Sequence, residues 1–365
     1  MGQVGQVGQV GQAGRVGQVE QAGRIQSMTS GPWLLNLEDR ADVERYLEGR
    51  GLVAAGDLPI AISRAGAGNM NLALRVMPAG APSFILKQGR PWVEKYPQIP
   101  APFDRTLVEA AFYAEVEHDP RVAARMPAVL HVDAENHILV LEDVGAGGDF
   151  TSIYAGAAIP SGALTALIEW LGWLGSMTPQ TDRRDIFTNR AMRALNHEHM
   201  FDFPLRDGNG LDLDGISAGL GAAARDMAAD RTYVDAVAAL GRRYLADGDT
   251  LVHGDYFPGS WLRCGDGVRI IDPEFCFLGD AEFDYGILVA HLMLAECDTA
   301  AITHVKAAID TRRLNAALLA GYAGVEIMRR LIGVAQLPTA VGIDRKRALL
   351  NLSRRLVVEP DKGFV

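Results

Sequence analysis

Two short apolar runs end in acids. Leu251-Val252-His253 leads into Gly254-Asp255, and seventeen residues after Asp255 the run Ile270-Ile271 ends in Asp272-Pro273-Glu274-Phe275. No other feature constrains the fold as much. Three carboxylates beside apolar strands are costly to desolvate without a cation, so the two strand ends must open onto a polar cleft that supplies one. In an extended segment residues two apart face the same side. Asp272 and Glu274 are therefore expected to project together, with Pro273 fixing the backbone between them. The plainer reading is a pair of strand ends capped by acids.

Not all of the 365 residues belong to such a cleft. The first 28 form a near-perfect three-residue repeat of the Gly-Gln-Val type, ending before Met28. They hold seven of the forty glycines, three charged residues (Arg15, Glu20, Arg24), no aromatic residue and no proline. Without proline nothing presets collagen dihedrals, so 1–28 reads as a disordered low-complexity tail and Met28 as an alternative start. The full chain is 48% hydrophobic and 22% charged, ordinary for a soluble enzyme. The net charge is −10, or −11 without the tail's two Arg and one Glu, which argues against a nucleic-acid partner. No apolar run reaches the roughly 18 residues that span a bilayer. The longest, 285–294, contains His291. The tail lacks the basic start and apolar core of a signal peptide. Cys264, Cys276 and Cys297 show no metal-type spacing, so reduced thiols and a cytoplasmic location are expected. His197 and His199 have no third ligand nearby and read as a solvated helix face.

The chain divides by composition. From about 37 to 143 short strand-like runs dominate: a helix over 38–51, strands over 59–63, 70–76 and 83–87, a helix over 104–116 with Asp104 as N-cap, and strands over 128–132 and 137–141. Beyond 143 the pattern is helical, over 163–174, 187–199, 215–227, 233–245, 281–296, 311–332 and 345–356. Two β-runs, 250–253 and 268–271, interrupt it. Gly145-Ala146-Gly147-Gly148 is the natural boundary. The expected fold is α+β and bilobal: a small β-rich N-lobe (29–143) and a larger, mostly helical C-lobe (144–365).

Five further segments carry chemistry. Gly66-Ala67-Gly68-Asn69-Met70-Asn71 lies between two strands. It fits either a hairpin turn or a loop whose backbone N–H groups cover phosphates. Lys87 ends an apolar strand, as an edge lysine would. It also lies 21 residues after Gly66 and 22 before Glu109, where a strand lysine would bridge phosphates to a helix glutamate. Glu115 is the rival partner. Leu139-Val140-Leu141-Glu142-Asp143-Val144 stands where backbone would receive adenine, or is simply an acidic strand end. Asp284 would cap the following helix or accept from the Gly254 loop. Arg329-Arg330, in an apolar helix, suggests a contact to an anion or a transition state, or a surface pair facing local acids. Phosphoryl transfer needs one carboxylate for the attacking hydroxyl and others to hold Mg²⁺. Asp255 suits the first task, and Asp272 and Glu274 the second.

Together these residues resemble the kinase-like small-molecule phosphotransferases, a group with a protein-kinase-like fold. It includes aminoglycoside phosphotransferases, choline kinases and, in most detail here, the 5-methylthioribose kinases. Gly66–Asn71 is similar to that family's glycine-rich loop. Lys87-Gln88 with Pro91-Trp92-Val93 resembles its strand lysine and trailing loop, and Asp104-Arg105 leading to Glu109 its next helix. His253-Gly254-Asp255, Gly259-Ser260, Asp272-Pro273-Glu274-Phe275 and Phe283-Asp284-x-Gly286 resemble its catalytic core. Arg329-Arg330 through Ala335 resembles its arginine pair. The likeness spans roughly 63–335, and Asp-x-Glu in place of Asp-Phe-Gly is its most specific part.

The resemblance implies ATP and Mg²⁺ as cofactors, a small-molecule hydroxyl as acceptor, and a homodimer outside membranes. Asp255 would be the base, with Arg329 and Arg330 on the transferring phosphoryl group and the sugar. Asp272, Glu274 and Ser260 would serve the metal. Gly66, Gly68, Asn69, Asn71, Lys87, Glu109, Glu142 and Val144 would serve the nucleotide. The acceptor it implies is 5-methylthioribose, phosphorylated on its anomeric hydroxyl in methionine salvage. Tyr256-Phe257-Pro258 replaces the usual Leu-His-Thr, and Trp261 follows Ser260. These residues are expected to border the acceptor, which leaves other sugars, choline- or homoserine-like alcohols and aminoglycosides open. Gly215-Ile216-Ser217-Ala218-Gly219 matches a nucleophile elbow but lacks the strand before it. The segment 207–214 is no EF-hand, and no Gly-Lys-[Ser/Thr] exists for a Walker site. A pseudokinase would be expected to have lost one of Lys87, Glu109, Asp255, Asp272 or Glu274.

Overall fold

Alternating apolar runs in the first part pair into a five-stranded antiparallel sheet in the computed structural model. The model describes residues 32–66, 70–145, 147–180, 183–265, 267–309, 313–337 and 341–362. The repeat 1–28, Gly68 and Asn69 lie outside these. The sheet's strands are β1 (Ala61–Arg64), β2 (Leu72–Met77), β3 (Phe84–Gln88), β6 (Val129–Asp133) and β7 (Ile138–Glu142). A hairpin, β4 (Trp92–Val93) and β5 (Tyr96–Pro100), leaves β3. Strand order is β1-β2-β3-β7-β6.

One sheet face buries Leu72, Leu74, Val76, Phe84, Leu86, Ile138 and Val140. Helix α1 (Arg40–Gly49) lays Val43 and Leu47 on this face, and Asp39 caps it by accepting from Asp42 N at 3.0 Å. Leu139 and Leu141 point the other way. With Val108, Phe112 and Val116 of α2 (Arg105–Val116) they join the larger core. β7 thus feeds both cores.

The larger core is helical. Its helices are α3 (Pro120–Ala123), α4 (Ser161–Leu174), α5 (Arg190–His197), α6 (Leu213–Ile216), α7 (Leu220–Ala229), α8 (Arg231–Leu245), α9 (Glu282–Leu294), α10 (Thr299–Ala308), α11 (Ala316–Ile332) and α12 (Ile343–Val358). α11 packs against both α9 and α12. Close approach is possible because Gly286 faces Tyr322 and Gly324 faces Ser353 O, where a Cβ would come within 2.9 and 2.8 Å. Two ribbons contribute to this core: β8 (Thr250–Val252) with β11 (Phe277–Gly279), and β9 (Trp261–Cys264) with β10 (Gly267–Ile270). Residues Trp33–Val365 form one compact unit. Among the described residues no helix is long and apolar enough to cross a membrane.

The structure differs from the sequence reading in definite places. The expected helix over 215–227 is broken. Ser217 is extended, Gly219 is left-handed, and Asp214 accepts from Gly219 N and Gly221 N to start α7 afresh. The helix over 187–199 becomes a 3-10 turn, α5 and a π-turn at Glu198–Asp202. His197 and His199 are half-buried against Phe201 and Phe203 instead of lining a solvated face. Asp104 stands at the N-cap position, but it contributes its carbonyl and no side-chain capping bond. Helix α10, capped by Asp298, and strands β4, β5, β9 and β11 were not expected.

Candidate active site

Register places Lys87 before anything else does. In β3 it stands opposite Ala73 on β2 and Leu139 on β7, on the face turned to α2. An edge lysine would reach water; this one is 3% exposed and meets Glu109 at 2.5 Å and Asp272 at 2.9 Å. Burial works against the ammonium, but Asp272, Glu109 and Glu274 outweigh it and hold Lys87 charged well above its ordinary range. Burial raises the Glu109 carboxyl, and Lys87 opposes that. Glu115, the rival partner, is engaged elsewhere, accepting from Gln180 N at 2.8 Å and facing Arg183.

The Asp-Pro-Glu segment is not extended. Asp272 has φ 64°, ψ 49°, and Pro273–Phe275 is a 3-10 turn, so the expected two-apart projection from a straight strand does not hold. The turn still turns both carboxylates toward Lys87. Asp272 has a 43% exposed side chain, whereas Glu274 is buried, accepting from Asn71 Nδ2 at 2.8 Å with Arg105 Nε at 3.4 Å. Burial raises Glu274, with Lys87 and Arg105 opposing. Asn71 therefore ties β2, just after the glycine loop, to the Asp-Pro-Glu turn. Gly66 is in the left-handed region at the end of β1.

The second acidic strand end is built by backbone. Asp284, in the first turn of α9, accepts from His253 N at 2.6 Å and Gly254 N at 3.0 Å; it is not the cap of that helix, whose N-cap position is held by Ala281 with no side-chain capping bond. His253 is fully buried. Its Nε2 donates to Ile271 O at 2.9 Å, so its Nδ1 accepts from Asp255 N at 3.3 Å. Ser260 Oγ donates to Asp255 O at 3.0 Å, directing its proton into the loop. Asp255 faces Arg329 at 3.4 Å and Arg330 at 3.5 Å. Burial raises its carboxyl against the pull of Arg330 and Arg329, the direction that suits a group receiving a proton.

At the expected adenine segment, Glu142 is exposed and its Oε2 accepts from Ala128 N at 3.1 Å, while Val144 O accepts from Cys264 Sγ at 3.4 Å. Asp143 pairs with Arg75 at 2.8 Å. The residues after Asp255 do not all border the acceptor side. Tyr256 is fully buried, stacked on Trp170 with its hydroxyl donating to Leu167 O, and Trp261 is fully buried between Tyr256 and Phe150. Only Phe257 turns to the arginines, its ring 4.8 Å from the Arg330 guanidinium.

Two groups of residues escaped the sequence reading as site residues. Arg105, fully buried, donates to the carbonyls of Met70, Arg90, Trp92 and Pro102 beside Glu274. Glu326, His291 and Tyr154 lie beneath the arginine pair. Glu326 carried a visible signal, since it precedes Arg329 and Arg330 by three and four positions on a helix.

Mg²⁺ takes one or two carboxylates and fills its remaining positions with phosphate oxygens and water. The residues fit that description. Asp272 and Glu274 offer only oxygen, Asp272 opens to solvent, and Asn71 Oδ1 is a buried oxygen without a hydrogen-bond partner among the described residues. Among those residues, no three acids, histidines or cysteines gather into a complete metal cage.

Residues 61–318 match the model of a phosphotransferase enzyme family. Methylthioribose kinase of Exiguobacterium sibiricum is 26% identical, covering 84% of this chain and 90% of the relative. That of Erwinia tasmaniensis is 26% identical, covering 81% and 88%. Two solved structures share the bilobal protein-kinase-like fold. Choline kinase LicA from Streptococcus pneumoniae has a TM-score of 0.50 at 12% identity, covering 88% of this chain and 99% of its own. Spectinomycin phosphotransferase, solved with ADP and spectinomycin, has a TM-score of 0.51 at 11% identity, covering 87% and 98%. A strand lysine paired to a helix glutamate, an Asp-x-Glu turn and a His-Gly-Asp loop stand inside the matched span, and the chain belongs to the phosphotransferase enzyme family, as an enzyme that passes a phosphoryl group to an alcohol.

Proposed function

We propose that the enzyme transfers the γ-phosphoryl group of ATP to the anomeric hydroxyl of a neutral sugar, 5-methylthioribose. The observation that carries this reading is the flanking of Asp255 by two guanidiniums, 3.4 and 3.5 Å from one carboxylate oxygen. Their two charges are matched by Asp255 and Glu326. An acceptor at Asp255 therefore meets donors for hydroxyl oxygens and no excess charge. A cationic alcohol would bring a third positive charge against the guanidiniums. The names of the relatives, methylthioribose kinases at 26% identity, point the same way.

In this reading Asp255 orients the acceptor hydroxyl and takes its proton, while Arg329 and Arg330 hold the sugar and the transferring group. Lys87, fixed by Glu109, binds nucleotide phosphates under the loop Gly66–Asn71, and the backbone around Glu142–Val144 receives adenine. Asp272 and Glu274, with Ser260 nearby, would hold Mg²⁺, which when bound neutralises charge on the nucleotide phosphates. The N-lobe (29–143) covers the nucleotide and the C-lobe (144–365) holds acceptor and metal. A cytoplasmic homodimer is part of the same proposal.

The deciding experiment follows ATP consumption with 5-methylthioribose, ribose, choline, homoserine and aminoglycosides. Methylthioribose should be turned over far faster than any cationic acceptor. Preferred turnover of choline or an aminoglycoside would overturn the neutral-sugar reading while leaving the phosphotransferase assignment intact.

A further inference from the structure

A chain of buried polar groups lies beneath the arginine pair. Glu326, one helical turn before Arg329 and Arg330 on α11, is fully buried. Its Oε1 accepts from Arg330 Nε at 2.7 Å, and its Oε2 accepts from Arg329 Nε. Oε1 also lies 2.9 Å from Nε2 of His291 on α9. On the far side, Nδ1 of His291 is 2.6 Å from the hydroxyl of Tyr154, in the 3-10 turn Thr151–Ala155. An ionised carboxylate only accepts, so Nε2 of His291 carries the proton. Nδ1 must then accept, and Tyr154 donates to it. Every hydrogen bond runs in one direction and ends on Glu326.

We propose that Glu326, oriented by His291 and Tyr154, is a positioning residue for phosphoryl transfer: it holds both guanidiniums by their Nε–H groups and keeps them from closing onto Asp255. The distances support this. Both Nη2 groups stop at 3.4 and 3.5 Å from Oδ1 of Asp255, longer than the ~2.7–2.9 Å of a direct charge-assisted bond. That gap leaves the carboxylate free for an acceptor hydroxyl. Without the charge of Glu326, two adjacent buried cations would have Asp255 as their nearest anion. They would pair with the very lone pairs that must take the proton. Phe257 packs on both Arg330 and His291, ring to ring at 5.6 Å with the latter, and shields the chain from water. The proposal rests on Asp255 acting as base, and not on which alcohol is the acceptor.

The test joins a substrate-free readout to a kinetic one. The groups facing His291 are Tyr154, Glu326, Arg329, Arg330 and Asp255. In nitrogen-15 NMR of the full-length enzyme, His291 should stay neutral with Nε2 protonated from about pH 8 to pH 5. Tyr154→Phe should shift its Nδ1 resonance. Glu326→Gln keeps the shape and removes the charge. Its kcat should fall about 10²-fold, with nucleotide KM unchanged. Tyr154→Phe should lower kcat roughly threefold to tenfold and, by leaving the buried Nδ1 of His291 without a donor, lower the melting temperature by only a few degrees. A His291 that titrates near its ordinary pKa, or a Glu326→Gln loss confined to nucleotide KM, would overturn the proposal. If Glu326→Gln does not fold, Tyr154→Phe decides, and wild-type kcat in it is the overturning result. Turnover is followed with 5-methylthioribose. Should the wild-type enzyme ignore that sugar, the acceptor reading fails alone, the NMR arm stands, and the kinetics use the alcohol found by the screen.

Discussion

A lysine with a carboxylate on either side is fixed in place by both. Lys87 joins Glu109, which is fully buried, to Asp272, whose side chain is 43% exposed. Breaking a buried pair from one side leaves an uncompensated charge, so Lys87→Met should cost about 3–5 kcal/mol in denaturant titration. Lys87→Met with Glu109→Leu should recover most of that stability and none of the nucleotide affinity. A double variant as unstable as the single one would show that the pair is not where the cost arises. Asp255→Ala has the opposite signature. Transfer should fall by several orders of magnitude, while the thermal shift caused by nucleotide persists. The lysine and its partner were legible because a strand and the next helix are short-range objects. The Tyr154–His291–Glu326 chain was not, since His291 and Tyr154 are 137 positions apart and only the tertiary fold brings them together.

Among the elements, the loop after β8 is the most demanding. Gly254 has φ 85°, and a Cβ there would lie 2.1 Å from Phe275 O, a backbone atom of the Asp-Pro-Glu turn. The two acidic strand ends are therefore in direct backbone contact, and only glycine allows it. Gly254→Ala should destabilise by more than about 2 kcal/mol, because a left-handed backbone and a clash add. It should also lower kcat more than it raises nucleotide KM. Near-wild-type melting and turnover would contradict this. The main sheet and the long helices were legible from periodicity. β4 and β5 were not, because Pro91, Pro97 and Pro100 argue against strand, and an edge hairpin tolerates what a central strand cannot. The straight Asp-Pro-Glu strand was wrong for a local reason: Asp272 adopts a left-handed conformation, which short polar side chains tolerate better than most.

Across the whole molecule, net charge −10 sits beside a site whose cations are Lys87, Arg105, Arg329 and Arg330, all buried. Burial also shapes the pH response. It lowers His253 to about 4, so this ring stays neutral in the fold while the unfolded chain takes a proton near its ordinary 6.5. Fewer protons are bound in the folded state across that window, so stability is full above about pH 6.5 and falls as pH drops toward 4, by about 3 kcal/mol for this group. Lowering the pH from about 7 to 5 should therefore reduce the melting temperature more in the wild type than in His253→Gln. Equal drops would mean His253 titrates alike in both states.

β7 has a consequence of its own. Ile138 and Val140 belong to one core, Leu139 and Leu141 to the other, and only Glu142 of the strand is exposed. Neither core can lose this strand and stay closed, so the sheet and the helices share one melting event. A cut after Asp143 would release no soluble fragment: it would lay bare Leu139 and Leu141 with Val108, Phe112 and Val116 beside them. The sheet and the helices are therefore one folding unit, and any transplant would have to carry both.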